Sequence, residues 1–446
     1  MFTREALSGL RGWAAEKDRR PLVLRGVRQC GKTSLVKLFS ADFDHYIYLN
    51  LEKSEHRKLF EEERPFAELI DAIFFQANIE RNNGNTLVFI DEIQNSPAAV
   101  AKLRYFFEEA KELYVVAAGS LLETLIDKNI SFPVGRVDFM PVRPCTFDEF
   151  LMITGEEKSW QVLSGFPPPD YAHEKLIQLF RLYTIIGGMP EILADYAESR
   201  DLQRLQKIYS RLIVSFQDDV EKYARNQTQA KVIRYIIGSA FHYAGKRITF
   251  DKFGGSEYRS REMGEAFRTL EKAYLLNLVY PVTATCLPAG EKLKKSPKLI
   301  LFDTGLVNFS SGLQKELFMT TDIDMNYYRQ IMEQVTAQEL LTLDKSVRSR
   351  LNFWTREESG TQSELDFVYP YRDMLIPIEV KSGTSGKLRS LHQFIDRAPH
   401  SWSVRFYTGK TSVQDAKTLS GKYFKLINLP FYMAGRLTDV LKEVIG

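Results

Sequence analysis

An α/β protein of several domains is the fold class this sequence predicts, and three observations carry it. The first third alternates short apolar runs with amphipathic stretches of helix length. Such alternation is the pattern of a mostly parallel sheet with helices on both faces. The apolar runs stop near Phe147, and helical patterns then dominate to about Tyr243. Beyond about residue 325 strand and helix patterns mix again. A chain of 446 residues exceeds the usual size of one domain, so roughly two to four domains are expected.

The elements follow in order. "PLVLRG", "HYIYLNL", "TLVFIDE" and "LYVVAAGS" read as buried strands of the first sheet, with "KTSLVKLFSADF" and "PFAELIDAIFFQANIE" as helices between them. "AHEKLIQLFRLYTIIGGMPEILADY" is a helical pattern punctuated by Gly187, Gly188 and Pro190. A compact unit follows: helix, a strand-like "RITF", then an amphipathic helix with Met263, Phe267, Leu270, Ala273 and Tyr274 at helical spacing, then the strand "LLNLVYPV". The C-terminal part contains "IMEQVTAQELLTL", "RLNFWTRE", "SELDFVYP", "MLIPIEVKS", "LRSLHQFIDRA" and "WSVRFYTG". These divide the chain into 1–150, an α/β core; 151–228, a helical lid; 229–310, a helix–hairpin unit; and 325–446, a second α/β domain.

Composition excludes little. With 44% hydrophobic and 26% charged residues there is apolar material for several cores, and a net charge of +3 leaves a basic face possible. Cys30, Cys145 and Cys286 lie too far apart for a zinc site and fit a reducing compartment. The N-terminal "MFTREALSGLRGW" lacks a signal-peptide pattern, and no apolar window is long enough to span a bilayer. A cytoplasmic location without membrane contact is the expectation.

"LVLRGVRQCGKTSL" contains G-x-x-x-x-G-K-[ST] directly after an apolar run and before a helix. In this loop, from Gly26 through Val27, Arg28, Gln29, Cys30, Gly31, Lys32, Thr33 and Ser34, backbone N–H groups curl around phosphates at a helix N-terminus. Lys32 reaches the β and γ phosphates, and Thr33 ligates magnesium. "TLVFIDE" supplies the acids: Asp91 to hold the magnesium and Glu92 to activate water. Ser120, in "VVAAGS", ends the next strand, either as a hydroxyl beside the γ phosphate or as part of a turn. ATP and Mg2+ are the ligands such a site implies.

Taken with "GRV", "MPVRPCTFDEFL" and "IIGGMPEIL", these motifs resemble the AAA+ ATPases of the prokaryotic archaeal-type ATPase group, over nearly the whole chain. The resemblance implies a P-loop domain with a helical lid, a winged helix and a C-terminal nuclease-like domain. It makes Arg136 either an arginine finger or phosphate sensor, or a surface arginine. A finger acting in trans would need a homo-oligomer, and one acting in cis would not. A winged helix-turn-helix is also what the element order in 229–310 gives. There Arg259, Arg261, Arg268 and Lys272 would meet DNA phosphates, with Lys292, Lys294, Lys295 and Lys298 on a wing across the backbone. Solvation or protein docking is the alternative use of these charges.

In "SELDFVYPYRDMLIPIEVKSG", Glu379 and Lys381 alternate on one strand and share a face. With Asp366 on a neighbouring strand, this is the D…(E/D)-x-K pattern of the restriction-endonuclease-like fold. Asp366 and Glu379 would bind Mg2+, with Glu333 on a preceding helix as a third ligand. Lys381 would polarise the attacking water or stabilise the charge developing on the phosphate. Gln393 is an accessory polar residue, and Glu364 is expected to point away from Asp366. The function so read is ATP binding and hydrolysis coupled to action on DNA by a Mg2+-dependent nuclease-like domain. The alternatives are a catalytically silent, ATP-dependent DNA-binding switch and a signalling ATPase that binds proteins.

Overall fold

The structure, a computed structural model, describes residues 4–81, 83–119, 133, 135–219, 224–319, 325–344, 346, 350–356, 363–383 and 388–446. The chain divides into two compact units. The first is Met1–Arg143 with the short stretches Lys272–Tyr274 and Lys345–Arg348; the second holds the remainder.

The first unit contains five strands: β1 (Leu22–Arg25), β2 (His45–Asn50), β3 (Thr86–Asp91), β4 (Tyr114–Ala118) and β5 (Asp138–Pro141). They lie in the order β2-β3-β4-β1-β5, and every pairing is parallel. Four are the strands read from apolar runs. The fifth, "DFMP", is half-buried at all four positions and carries no continuous apolar signal. β3 is buried at every residue, as a central parallel strand covered on both faces must be. Val23, Val88, Ile90 and Ala117 of the sheet pack with Ile73 and Phe74 of helix Phe66–Ala77 and with Leu103 and Phe106 of helix Pro97–Glu109. This core fixes β1 and β3 so that their C-terminal ends, and the loops that leave them, share one edge of the sheet. Open α/β sheets bind ligands at that edge.

In the second unit helices dominate from Phe147 to Ser239, in accord with the sequence pattern. Thr146 and Glu149 close a capping box on the first of them. The long pattern around residues 172–196 is two helices, His173–Ile186 and Pro190–Ser199; the chain turns at Gly187 (φ 74°) and Pro190 opens the next helix. An eight-stranded sheet follows: β6 (Leu276–Val282), β7 (Lys298–Leu301), β8 (Asn352–Thr355), β9 (Glu364–Tyr371), β10 (Met374–Val380), β11 (Trp402–Tyr407), β12 (Ser412–Lys417) and β13 (Tyr423–Pro430). Its order is β12-β13-β11-β10-β9-β8-β6-β7. The helices Gln227–Ser239 and Ser260–Lys272 and the antiparallel pair β6–β7 stand where the helix–hairpin unit was expected. The sheet continues without a break from that pair, through the parallel pairing of β6 with β8, into residues 352–430.

Two local expectations are corrected here. "RITF" forms no strand among the described residues: Arg247 makes an isolated bridge to Lys298, because a single bridge offers no ladder to extend. Tyr274 lies beyond the helix that ends at Lys272 and takes a left-handed φ of 63°.

Candidate functional site

The phosphate-binding loop leaves β1 and enters helix Lys32–Phe39 at Gly31, whose φ of 89° is left-handed. Gly26 has a packing reason to be glycine: an added Cβ would lie 2.1 Å from the Val142 carbonyl oxygen. Buried Arg4 braces the loop from the N-terminus, donating to the Cys30 carbonyl at 3.1 Å and the Arg143 carbonyl at 2.7 Å. Lys32 Nζ donates to the carbonyls of Gly26 and Val27, each at 2.9 Å. Its ammonium therefore lies folded against the loop's own backbone.

Thr33 Oγ1 donates to Asp91 Oδ2 at 2.8 Å, which brings a hydroxyl and a carboxylate from two elements to one point. Burial pushes the Asp91 carboxyl above its usual range; the Thr33 hydrogen bond opposes this and the neighbouring Glu92 charge adds to it. Both oxygens are hard donors of the kind magnesium takes, so the pair fits Mg2+, which Thr33 and Asp91 would hold. Glu92 leaves the strand in a left-handed conformation (φ 52°), uncommon for a side chain of this type. Gln94 Nε2 donates to Glu92 Oε2. Tyr48, on β2, donates to Asp91 Oδ2 at 3.2 Å.

Sequence reasoning missed Arg4, Tyr48 and Gln94. The signal for Tyr48 is the register, since β2 pairs in parallel with β3 and Asn50 stands beside Asp91. Arg136 Nε lies 2.9 Å from Glu108 Oε1, an exposed ion pair with a residue of helix Pro97–Glu109. Ser120 lies outside the described residues.

The C-terminal carboxylates come together on β9, β10 and helix Met325–Leu340. β9 and β10 run antiparallel with Phe367 beside Ile378, and Val380 N donates to Asp366 Oδ2 at 2.7 Å. Lys381 Nζ contacts Glu379 Oε1, while Glu379 Oε2 is buried without a hydrogen-bond partner. Glu333 meets Arg329 Nε at 3.2 Å and Lys298 Nζ at 3.3 Å. Burial, then the nearby Asp366 charge, pushes the Glu333 and Glu379 carboxyls up to about 7. The Gln393 amide oxygen is buried without a partner on helix Arg389–Arg397.

Two expectations fail in this cluster. Lys298 is 2% exposed and belongs to β7, so it is no part of a solvent-facing wing. Glu364 does not point away from Asp366: one ammonium, that of Lys298, lies 3.1 Å from Glu364 Oε1 and 3.6 Å from Asp366 Oδ1. Residues two apart on a strand share a face, which is the alternation that places Glu379 with Lys381. Among the described residues, no group of three His, Cys, Asp or Glu side chains is placed to hold a metal ion. Glu333 is committed to two cations, Asp366 to an amide and an ammonium. The three-carboxylate magnesium site expected here therefore does not fit.

Residues 18–151 match the AAA domain family. Residues 177–317 and 328–432 match two domains of unknown function, DUF8612 and DUF4143. None of the curated proteins matches the chain. Among solved structures, the chain is similar to a Walker-type ATPase of Pyrococcus abyssi at 13% identity and a TM-score of 0.42, covering 70% of this chain and 96% of that one. It is also similar to the Orc1 protein of Aeropyrum pernix in complex with DNA, at 14% identity and a TM-score of 0.27, covering 70% and 93%. A signal transduction ATPase with numerous domains from Pyrococcus horikoshii gives 13% identity and a TM-score of 0.28, covering 74% and 45%. No helix among the described residues is long and apolar enough to cross a membrane. The family match and the geometry around Lys32, Thr33 and Asp91 agree: residues 18–151 resemble the AAA domain family and carry its P-loop sequence between a strand and a helix.

Proposed function

We propose that the protein is an ATP-hydrolysing AAA protein that acts as an ATP-dependent, DNA-binding switch, and that its second unit does not cleave DNA. The observation that carries the hydrolytic reading is the 2.8 Å pair of Thr33 and Asp91 at the mouth of the P-loop, with Glu92 next in the chain. Magnesium held there would neutralise charge between the β and γ phosphates. Lys32 would exchange the Gly26 and Val27 carbonyls for phosphate oxygens, so that its ammonium stays hydrogen-bonded. Glu92, released from Gln94, accepts the proton of the attacking water. Asp91, being acceptor-only when ionised, accepts from the Thr33 hydroxyl and would hold the metal beside it.

DNA contact is supported by exposed basic side chains around helix Ser260–Lys272: Arg259 just before it, Arg261 and Arg268 on it, then Lys292, Lys294 and Lys295 after it. This arrangement suits phosphates rather than base edges, and the predicted binding is steeply salt-dependent. The non-cleaving reading is supported by the charge-paired state of Glu333 and Asp366. Wild-type chain and the Lys32→Ala variant are compared for ATP turnover with magnesium, and for retention of duplex DNA at rising salt. Turnover in wild type and its loss in Lys32→Ala are expected. An inert wild type sinks the ATPase reading, and DNA strand products sink the non-cleaving one.

A further inference from the structure

The carboxylate cluster of the second unit has a cation already inside it. Lys298 enters from β7, an edge strand held antiparallel to β6 and bridged to Arg247. Its side chain is 3% exposed. The ammonium faces Glu364 Oε1 at 3.1 Å, Glu333 Oε2 at 3.3 Å and Asp366 Oδ1 at 3.6 Å, and it donates to the Asp366 carbonyl at 3.4 Å. The rings of Phe353 and Phe367 flank it at 5.3 and 5.4 Å, close enough for their faces to favour a cation. Burial alone would lower the lysine pKa; the charges of Glu333, Asp366 and Glu364 more than offset that, and the pKa is raised.

The surrounding charges are matched one for one among the described residues. Glu333 also meets Arg329, Glu364 also meets Arg247, and Glu379 meets Lys381. A lysine ammonium is a compact charge with three donors, and here it reaches three carboxylates contributed by a helix and by β9. Magnesium would draw the same oxygens to about 2.1 Å, closer than an ammonium permits, so the two cations cannot share the space. Among the carboxylates of the described cluster, the buried oxygen without a hydrogen-bond partner is Glu379 Oε2, which alone is too little for a divalent ion.

We propose that Lys298 is the resident cation of this cluster, standing where a divalent metal would otherwise bind, so that the cluster is charge-compensated without one. The proposal rests on the non-cleaving reading of the second unit. It also predicts that removing the ammonium creates a divalent-cation site from Glu333, Glu364 and Asp366, with Glu379 at its side.

The test is Mn2+ titration of the nucleotide-free full-length chain, followed by the electron paramagnetic resonance signal of free Mn2+. Comparison with Asp91→Asn removes any ion held at the P-loop from the count. Wild type is expected to show no Mn2+ binding that depends on Asp366 or Glu379. Lys298→Met is expected to gain one site, at least about 10-fold tighter than anything wild type shows, and to lose it again in Lys298→Met/Asp366→Asn. Should Lys298→Met not fold, Lys298→Gln removes the charge, keeps a hydrogen-bonding side chain among Glu333, Glu364 and Asp366, and is expected to gain the site. A wild-type Mn2+ site lost in Asp366→Asn overturns the proposal, and so does the absence of a gained site in both variants. A wild type that binds no Mn2+ here yet cuts DNA removes the non-cleaving reading alone. Loss of the ATPase reading would show only in the Lys32→Ala comparison.

Discussion

Two buried strand acids invite comparison, Asp91 at the end of β3 and Asp366 near the start of β9. Both are buried, at 5% and 4% exposure, and both stand beside a lysine-bearing segment. Asp91 is met by two hydroxyls and an amide, from Thr33, Tyr48 and Glu92, and by no cation among these partners. Asp366 is met by the Lys298 ammonium and the Val380 amide. The first arrangement leaves uncompensated negative charge where a magnesium ion would be welcome. The second has its charge balanced by the chain itself. Identical residue types, one closing β3 and one near the start of β9, thus acquire opposite chemical readiness, according to whether a cation is built in or awaited.

The comparison breaks most sharply at Lys298. Removing one partner of a buried ion pair typically costs about 3–5 kcal/mol, and Lys298→Ala is expected to fall in that range, read by denaturant unfolding of the second unit. Asp91→Asn should not lower stability, because burial already disfavours the charged form; a substantial loss on Asp91→Asn would erase the contrast. Next in size is Glu92→Gln, expected to reduce ATP turnover by about 10²–10⁴-fold, the span of a lost general base, while ATP binding measured by fluorescent-nucleotide displacement persists. Equal loss of binding would make Glu92 part of the binding loop instead.

A pH profile sharpens the comparison further. Burial raises the carboxyls of Glu333 and Glu379 to about 7 and that of Asp303 to about 6. The folded state therefore retains protons that the unfolded chain releases at the usual carboxyl pKa. Stability of the second unit is greatest below that value and falls as pH rises toward 6 and 7. Urea midpoints from pH 4 to 8 check this, and Asp303→Asn should flatten the lower part of the slope; a midpoint that rises with pH contradicts it. The smallest effect is expected for Tyr48→Phe. Loss of its hydrogen bond to Asp91 should cost about 1 kcal/mol, read as a modest shift in the melting of the first unit.

Much of the first unit was legible because its signals are local. A parallel strand buried on both faces writes itself as an unbroken apolar run, and Gly26, Gly31, Lys32 and Thr33 lie within eight consecutive residues. β5 escaped because a half-buried edge strand of four residues carries neither an apolar run nor clean alternation. In the C-terminal cluster, alternation correctly set Glu379 beside Lys381, and the same rule applied to Glu364 and Asp366 would have placed both on one face. Lys298 was misread for a different reason. Preceded by Lys292, Lys294 and Lys295, it looks like one more solvated charge, and nothing in its neighbours announces that β7 turns it inward.

The sequence by itself determined the G-x-x-x-x-G-K-[ST] loop between a strand and a helix, the acidic end of β3 and four of the five strands of the first sheet, because these depend on short-range spacing and periodicity. Only the tertiary structure decided which charges meet. Lys298 and Glu333 are separated by 35 residues and Lys298 and Asp366 by 68, and no periodicity links them. Sheet register and burial bring that ammonium to those carboxylates, and electrostatics in a dry interior then makes the encounter decisive.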